Sequence, residues 1–212
     1  WLMRSMFDQQ LKTLNEEMLY MGGLCEDTIQ QTIEALMSGD VKKARDLNNM
    51  MSQLTQQERS IENICLKLLM QQQPVARDLR TISSSLKMVT DMERIGIQAC
   101  EIAEIIAAGN VVRATDKVDF QELSDEVSHM VQMVRMAYDK KNLDLADEVI
   151  KYDDVVDKLF CDIRGDLIKQ LKDDTNDAEC FIDMLMIDKY FERIGDHAVN
   201  IARWVKFSIT GE

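Results

Sequence analysis

Apolar residues recur at three- and four-residue steps along almost the whole chain, the spacing of one face of an α-helix. Over about 5–37 the series is Phe7, Leu11, Leu14, Met18, Met21 and Cys25, followed by Ile29, Ile33 and Leu36. Gly22-Gly23 interrupts it without ending it and predicts a bend. Ser38-Gly39-Asp40 stops it and supplies an N-cap for a second helix. That helix carries Leu47, Met50, Met51, Leu54, Ile61, Cys65, Leu68 and Leu69 to a stop at Gln73-Pro74. A third starts near Val75 and carries Leu79, Ile82, Leu86, Val89, Ile95, Cys100 and Ile102 to Gly109-Asn110. A fourth is predicted over about 118–140, a fifth over 143–171 and a sixth over about 178–207, with the polar run 172–177 as the last turn.

The two sets of three are related. Glu93-Arg94-Ile95-Gly96 returns 99 residues later as Glu192-Arg193-Ile194-Gly195. Upstream, an offset of 102 pairs Leu47 with Val149, Leu54 with Val156, Ile61 with Ile163, Cys65 with Leu167 and Leu69 with Leu171. The difference of three falls at the turn before the third helix of each set, where length changes are tolerated. A duplicated three-helix unit follows, with one bundle in residues 1–110 and the other in 117–208.

Composition narrows the fold class to all-α. One proline and eight glycines in 212 residues leave too few breakers for a sandwich, a barrel or a doubly wound sheet. Fifteen methionines, with much Leu, Ala, Gln, Glu and Lys, suit long helices instead. Cys25, Cys65, Cys100, Cys161 and Cys180 are odd in number and never in a CxxC arrangement. They read as reduced thiols packed on helix faces, not as a disulfide or zinc framework. No apolar run approaches the roughly 18 residues that span a bilayer. The segment WLMRSMFDQQ has no signal-peptide core, so a cytoplasmic protein is expected.

Charge removes further classes of function. Thirty-eight acids against twenty-five bases give a net charge of −13, a field that repels nucleic acid and anionic lipid. Residues 1–109 carry 11 bases and 15 acids, and residues 110–212 carry 14 and 23, so the surplus of acid lies mainly in the second half.

Within that half, Asp188, Glu192, Asp196 and Asn200 stand at successive i, i+4 positions and form one polar stripe. The preceding helix holds a second pair, Asp153 and Asp157, with Asp154 beside them. Antiparallel packing of these helices would bring the pairs together as an oxygen-only nest, suited to Mg²⁺, Ca²⁺, Mn²⁺ or iron. The plainer reading is a solvated acidic face, and the chain has other such pairs, including Asp144/Glu148 and Asp162/Asp166. Two features set the first group apart. Its members lie on helices adjacent in sequence, and it overlaps the repeated block, where Gly195 costs a helix about 1 kcal/mol and implies close helix approach.

Other residues are less specific. Glu126-Val127-Ser128-His129 has the Glu-x-x-His spacing of di-iron bundles, but in one copy only, so His129 is expected to be exposed. His197 lies about 100° around the helix from Asp196 and is expected to be packed or solvated. Arg77, Asp78 and Arg80 would cap and pair locally, or present a partner-binding surface. Arg94 and Arg193 are expected in ion pairs. No phosphate-cradling Gly-rich loop, Ser/His/Asp set or nucleophile elbow is visible.

The segment Glu192-Arg193-Ile194-Gly195-Asp196-His197-Ala198-Val199-Asn200-Ile201-Ala202 resembles the signature of the PhoU family of phosphate-signalling regulators. Gln73-Pro74-Val75-Ala76-Arg77-Asp78-Leu79-Arg80 resembles the segment preceding its first copy, and the likeness runs through essentially the whole chain. The resemblance implies two similar three-helix bundles end to end, each able to hold a metal through E/D-x-x-x-D pairs on its last two helices. In the second half both pairs are intact, Asp153 with Asp157 and Glu192 with Asp196. In the first half the matching positions are Met51, Thr55 and Ile97, which leaves Glu93 alone. At most one cation site is thus implied, at Asp153, Asp157, Glu192 and Asp196, with iron, zinc, manganese, magnesium and nickel all open.

The same resemblance implies a non-enzymatic, homodimeric regulatory adaptor, a negative regulator of phosphate uptake and phosphate-starvation signalling. It would couple a phosphate ABC transporter ATPase to a sensor histidine kinase, with no nucleic-acid partner and no membrane insertion. A ferritin-like or di-iron carboxylate oxidoreductase and a metal-free helical scaffold are the alternatives.

Overall fold

The computed structural model describes residues 2–71, 74–111, 118–173 and 177–212, and among these there are helices and no strand. In chain order they are α1 (Leu2–Ser38), α2 (Val41–Asp46), α3 (Asn48–Gln71), α4 (Ala76–Ala108), α5 (Gln121–Lys140), α6 (Leu143–Asp173) and α7 (Ala178–Thr210). Gln73 and residues 174–176, at two of the predicted turns, lie outside the described residues.

Local chemistry sets the ends. Asp40 is the N-cap of α2, its carboxylate accepting from the Lys43 N–H at 3.0 Å. Gly109 takes a left-handed φ of 87° after α4, and its N–H donates to the Ile106 carbonyl. The predicted second helix is broken at Leu47, which separates α2 from α3. Leu47 stays buried there, and its carbonyl accepts from the Met50 N–H at 2.9 Å and faces the Cys100 thiol on α4. Gly22-Gly23 does not end α1. It makes room for Arg135 of α5, whose Cδ would stand 3.1 Å from a Cβ at Gly22 and whose guanidinium pairs with Glu26 at 2.9 Å. Cys25, Cys65 and Cys100 are buried as expected, whereas Cys161 is exposed.

Helices α1 to α4 pack as one bundle and α5 to α7 as the other. The bundles are in tandem along the chain but side by side in space, not end to end, because α4 and α7 lie along each other. Arg80 abuts Gly211, Asp91 meets His197 and Asn200, Glu101 meets Tyr190, and Asn110 bonds Asp183. Positions rise on α4 as they fall on α7, so the pair is antiparallel over its whole length. Burial explains the arrangement. Fourteen of the 33 residues of α4 and twelve of the 33 of α7 are buried, against five of the 31 of α6. A helix apolar on more than one face needs partners on more than one side.

The repeated glycine has the same task in each bundle. A Cβ on Gly96 would lie 2.4 Å from Leu54 Cδ1, and one on Gly195 would lie 3.3 Å from Val156 Cγ1. Leu54 and Val156 are the residues that the offset of 102 pairs, so one contact recurs with two different side chains. Gly165 has nothing within 4 Å. Gly96→Ala should therefore lose about 1–2 kcal/mol, overpacking outweighing a helix-propensity gain of about 1. Gly195→Ala should lose less, and Gly165→Ala should gain roughly 0.5–1 kcal/mol. Urea unfolding checks the order, and a Gly96→Ala protein as stable as Gly165→Ala would refute the account.

Candidate cation site and its counterpart in the first half

Asp153 lies in the α6–α7 interface beside Gly195. A Cβ there would come within 3.5 Å of Asp153 Oδ1. That oxygen is buried and has no hydrogen-bond partner among the described residues. Burial, followed by the charges of Asp157, Asp196 and Glu192, pushes the Asp153 carboxyl up to about 6. Asp196 is raised too, by burial and then by Glu192 and Asp157, with Lys189 and His197 opposing. The four predicted residues thus share one electrostatic neighbourhood. A hard cation matches their all-oxygen chemistry and the unpartnered Asp153 oxygen.

They do not close into a coordination sphere. Among the described residues no group of three or more His, Cys, Asp or Glu side chains is gathered tightly enough to hold a metal ion. Lys189 supplies positive charge here instead, its Nζ donating to Glu192 Oε2 at 2.6 Å and lying 5.2 Å from the Phe160 ring centre. Glu192 is largely buried, with 13% of its side chain exposed, while Asp157 and Asp196 reach solvent.

In the first half the matching place is filled by a hydroxyl–carboxylate contact. Thr55 Oγ1, at the position of Asp157, donates to Glu93 Oε1, at the position of Glu192, at 2.8 Å. Met51 and Ile97 put half-buried apolar groups where the second half has Asp153 and Asp196. One hydroxyl thus satisfies Glu93, which still repels Glu58, whose carboxyl is held above its ordinary range by burial, Glu93 and Glu62.

Two further residues belong to this region, Asp188, which the sequence placed on the polar stripe and the fold buries, and Asp91, which sequence reasoning did not single out. Asp188 is wholly buried, and neither of its oxygens has a partner among the described residues. Burial, followed by Glu192, raises it to about 8 against the pull of Lys189 and Arg164. The first half has buried Val89 at the equivalent position. The signal lay in the apolar face Met184, Asp188, Phe191, Gly195 and Ala198, where an acid stands in a core register. Asp91 is the other. His197 Nδ1 meets Asp91 Oδ1 at 2.8 Å and the Asn200 amide donates to the same oxygen at 3.3 Å, so the signature block ties α7 to α4. No local pattern marks Asp91, whose partners are more than a hundred residues away.

The weaker expectations divide. His129 is exposed, edge-on to Tyr152, whose hydroxyl donates to Glu126, so Glu126 and His129 each engage that tyrosine. Arg193 lies over the Tyr190 ring at 5.9 Å, a cation–π contact, and among the described residues it makes no close ion pair of the kind expected. Arg77, Asp78 and Arg80 do not cap α4, since its N-cap is Val75, with no side-chain cap bond.

Protonation of Asp188 sets a pH dependence. Its folded pKa lies above the unfolded value, so the folded state holds the extra proton and stability falls as pH rises from about 4 to about 8. Asp153 adds the same sign from about 4 to about 6. In chelator-treated protein, Asp188→Asn should flatten the decline between pH 6 and 9, read as melting temperature against pH. A wild-type melting temperature that climbs over that range would contradict the burial argument.

The PhoU domain family model matches this chain twice, over residues 18–106 and 120–205. The phosphate-specific transport system accessory protein PhoU homolog of Clostridium acetobutylicum is 35% identical over 99% of this chain and 96% of its own length. Its namesake from Pseudomonas aeruginosa is 32% identical over 97% of this chain and 86% of its own length. The crystal structure of PhoU from Pseudomonas aeruginosa superposes with a TM-score of 0.92, at 30% identity, covering 97% of this chain and all of that one. The phosphate transport system regulatory protein PhoU from Streptococcus pneumoniae shares the fold, with a TM-score of 0.88 at 23% identity, covering 97% of this chain and 98% of that one. Two matched domains, whole-length relatives and the repeated Glu-Arg-Ile-Gly blocks agree: this chain belongs to the PhoU family, with one PhoU domain in each bundle.

Proposed function

We propose that this protein is a cytosolic regulatory adaptor of phosphate transport, in which a cation held by Asp153, Asp157, Glu192 and Asp196 bears on the joint between the bundles. The observation that carries this reading is the adjacency of Asp196 and His197. One belongs to the carboxylate group, and the other bridges to Asp91 on α4. Bound there, a cation would supply the positive charge that the carboxylates lack, with Lys189 released from Glu192. A shift of Asp196 on binding would be passed to His197, its neighbour in sequence, at the joint. A partner that prefers one arrangement of the joint is biased by its affinity difference. The partners in this reading are the ATPase of a phosphate ABC transporter and a sensor histidine kinase, with the protein acting as a dimer to damp uptake when phosphate is plentiful.

Manganese affinity should rise as pH passes through about 6, because Asp153 must lose its proton to ligate. Elemental analysis of protein purified without chelator should find metal in the wild type and none in an Asp157→Ala, Glu192→Ala double variant. Equal metal in both would remove the cation from the account. Separately, affinity capture from the native cytosol should retain the transporter ATPase and the kinase, and deletion should derepress phosphate-starvation genes. Unchanged kinase output and unchanged uptake in phosphate-rich medium would overturn the adaptor reading.

A further inference from the structure

A cleft of about 580 Å³ opens where α4 begins and α5 and α7 end, away from the carboxylate group. It is lined by both bundles: Leu14 and Asn15 come from α1, Arg77 and Arg80 from α4, Tyr138 from α5, and Val205 and Ser208 from α7. Lys12 and Lys141 complete its charge, so four cations face one carboxylate, Asp78, in a chain of net charge −13. That local reversal of sign is the first observation.

The second concerns donors. Arg80 Nε is buried in this wall with no hydrogen-bond partner among the described residues, and a buried unpaired donor is costly to leave so. Among the described residues Lys12 reaches Glu16 alone, at 3.8 Å and well exposed, a weak pair. The first turn of α4 adds N–H groups without intrahelical partners, since Val75 provides no side-chain cap. The hydroxyls, by contrast, are turned to the protein: Thr81 donates to the Arg77 carbonyl, Ser85 to Thr81, and Ser208 to Val205. Apart from the Asn15 amide, the free donors of the wall belong to cationic side chains. Such a wall recognises an oxyanion, because arginine forks match phosphate geometry, and discriminates against a neutral polyol.

The third observation is size and floor. Leu14, Met88, Val205 and Ile209 give the cleft an apolar base, and its volume is that of a small-molecule site, far more than one phosphate ion fills. We infer that this cleft binds a phosphorylated small molecule of nucleotide size, its phosphates against Arg77, Arg80, Lys12 and Lys141 and its ring system on the apolar floor. Such a ligand touches α1 and α4 of one bundle and α5 and α7 of the other, and so binds across their joint.

The probe is ADP, titrated calorimetrically into the full chain in magnesium-free buffer with chelator, so that the carboxylate group contributes nothing. One ADP per chain is expected, with affinity falling as salt is raised. Arg77→Gln with Arg80→Gln should weaken it by at least about tenfold. Lys12→Gln with Lys141→Gln, two lysines at the mouth, should weaken it in the same direction and guards against a folding defect in the first variant. Adenosine should give no heat, and orthophosphate should bind much more weakly than ADP. No ADP binding, ADP binding unchanged in both double variants, or orthophosphate binding as tightly as ADP would each overturn the inference.

Discussion

The antiparallel contact of α4 with α7 is the interaction on which the rest of this molecule depends. Each helix is apolar on more than one face, so neither can be satisfied inside a three-helix bundle alone. Joining the two faces buries both, and it also fixes which residues of one half meet which residues of the other. Asp91 comes to His197 and Asn200 near the middle of the joint, and Arg80 comes to the end of α7. The carboxylate region and the basic cleft are therefore both placed by one helix pair, and each lies within a residue or two of the joint.

Duplication supplied two copies of a unit whose chemistry then diverged. The packing logic survives in both: a repeated glycine admits Leu54 in one half and Val156 in the other. What differs is the row of side chains beside that glycine. In the first half a threonine hydroxyl satisfies Glu93, and the neighbours are Met51 and Ile97. In the second, Asp153, Asp157, Glu192 and Asp196 share one neighbourhood in which burial and the like charges around them raise Asp153 and Asp196, with buried Asp188 behind them. Like charges in a partly desolvated place are unfavourable unless protons, a cation or Lys189 offsets them. The asymmetry of charge between the halves thus has a local structural expression.

Helix class and the carboxylate pairs were legible in the chain because they rest on three- and four-residue periodicity, and the repeat because a fixed offset of about a hundred residues reveals it. Leu54 and Val156, paired by an offset alone, occupy equivalent contacts. The break at Leu47 was not legible, since the apolar spacing continues smoothly through it and only the carbonyl contacts in the fold reveal it. Gly22-Gly23, read from the sequence as a bend, also makes room for Arg135, a partner more than a hundred residues away. Asp188 was placed on a polar stripe, although its register also belongs to the apolar face, and burial decides between them.

The sequence by itself determined that this protein is a duplicated all-helical unit with its acid concentrated in the second copy. Those properties follow from patterns three, four or about a hundred residues long, which need no knowledge of the fold. Only the tertiary structure decided that the copies lie side by side, that His197 and Asn200 serve Asp91, and that Lys12, Arg77, Arg80 and Lys141 face one cleft. Each of these depends on how two helices with broad apolar faces choose their mutual direction and rotation. That choice is made by the summed packing of many residues distant in sequence, and no local window contains it.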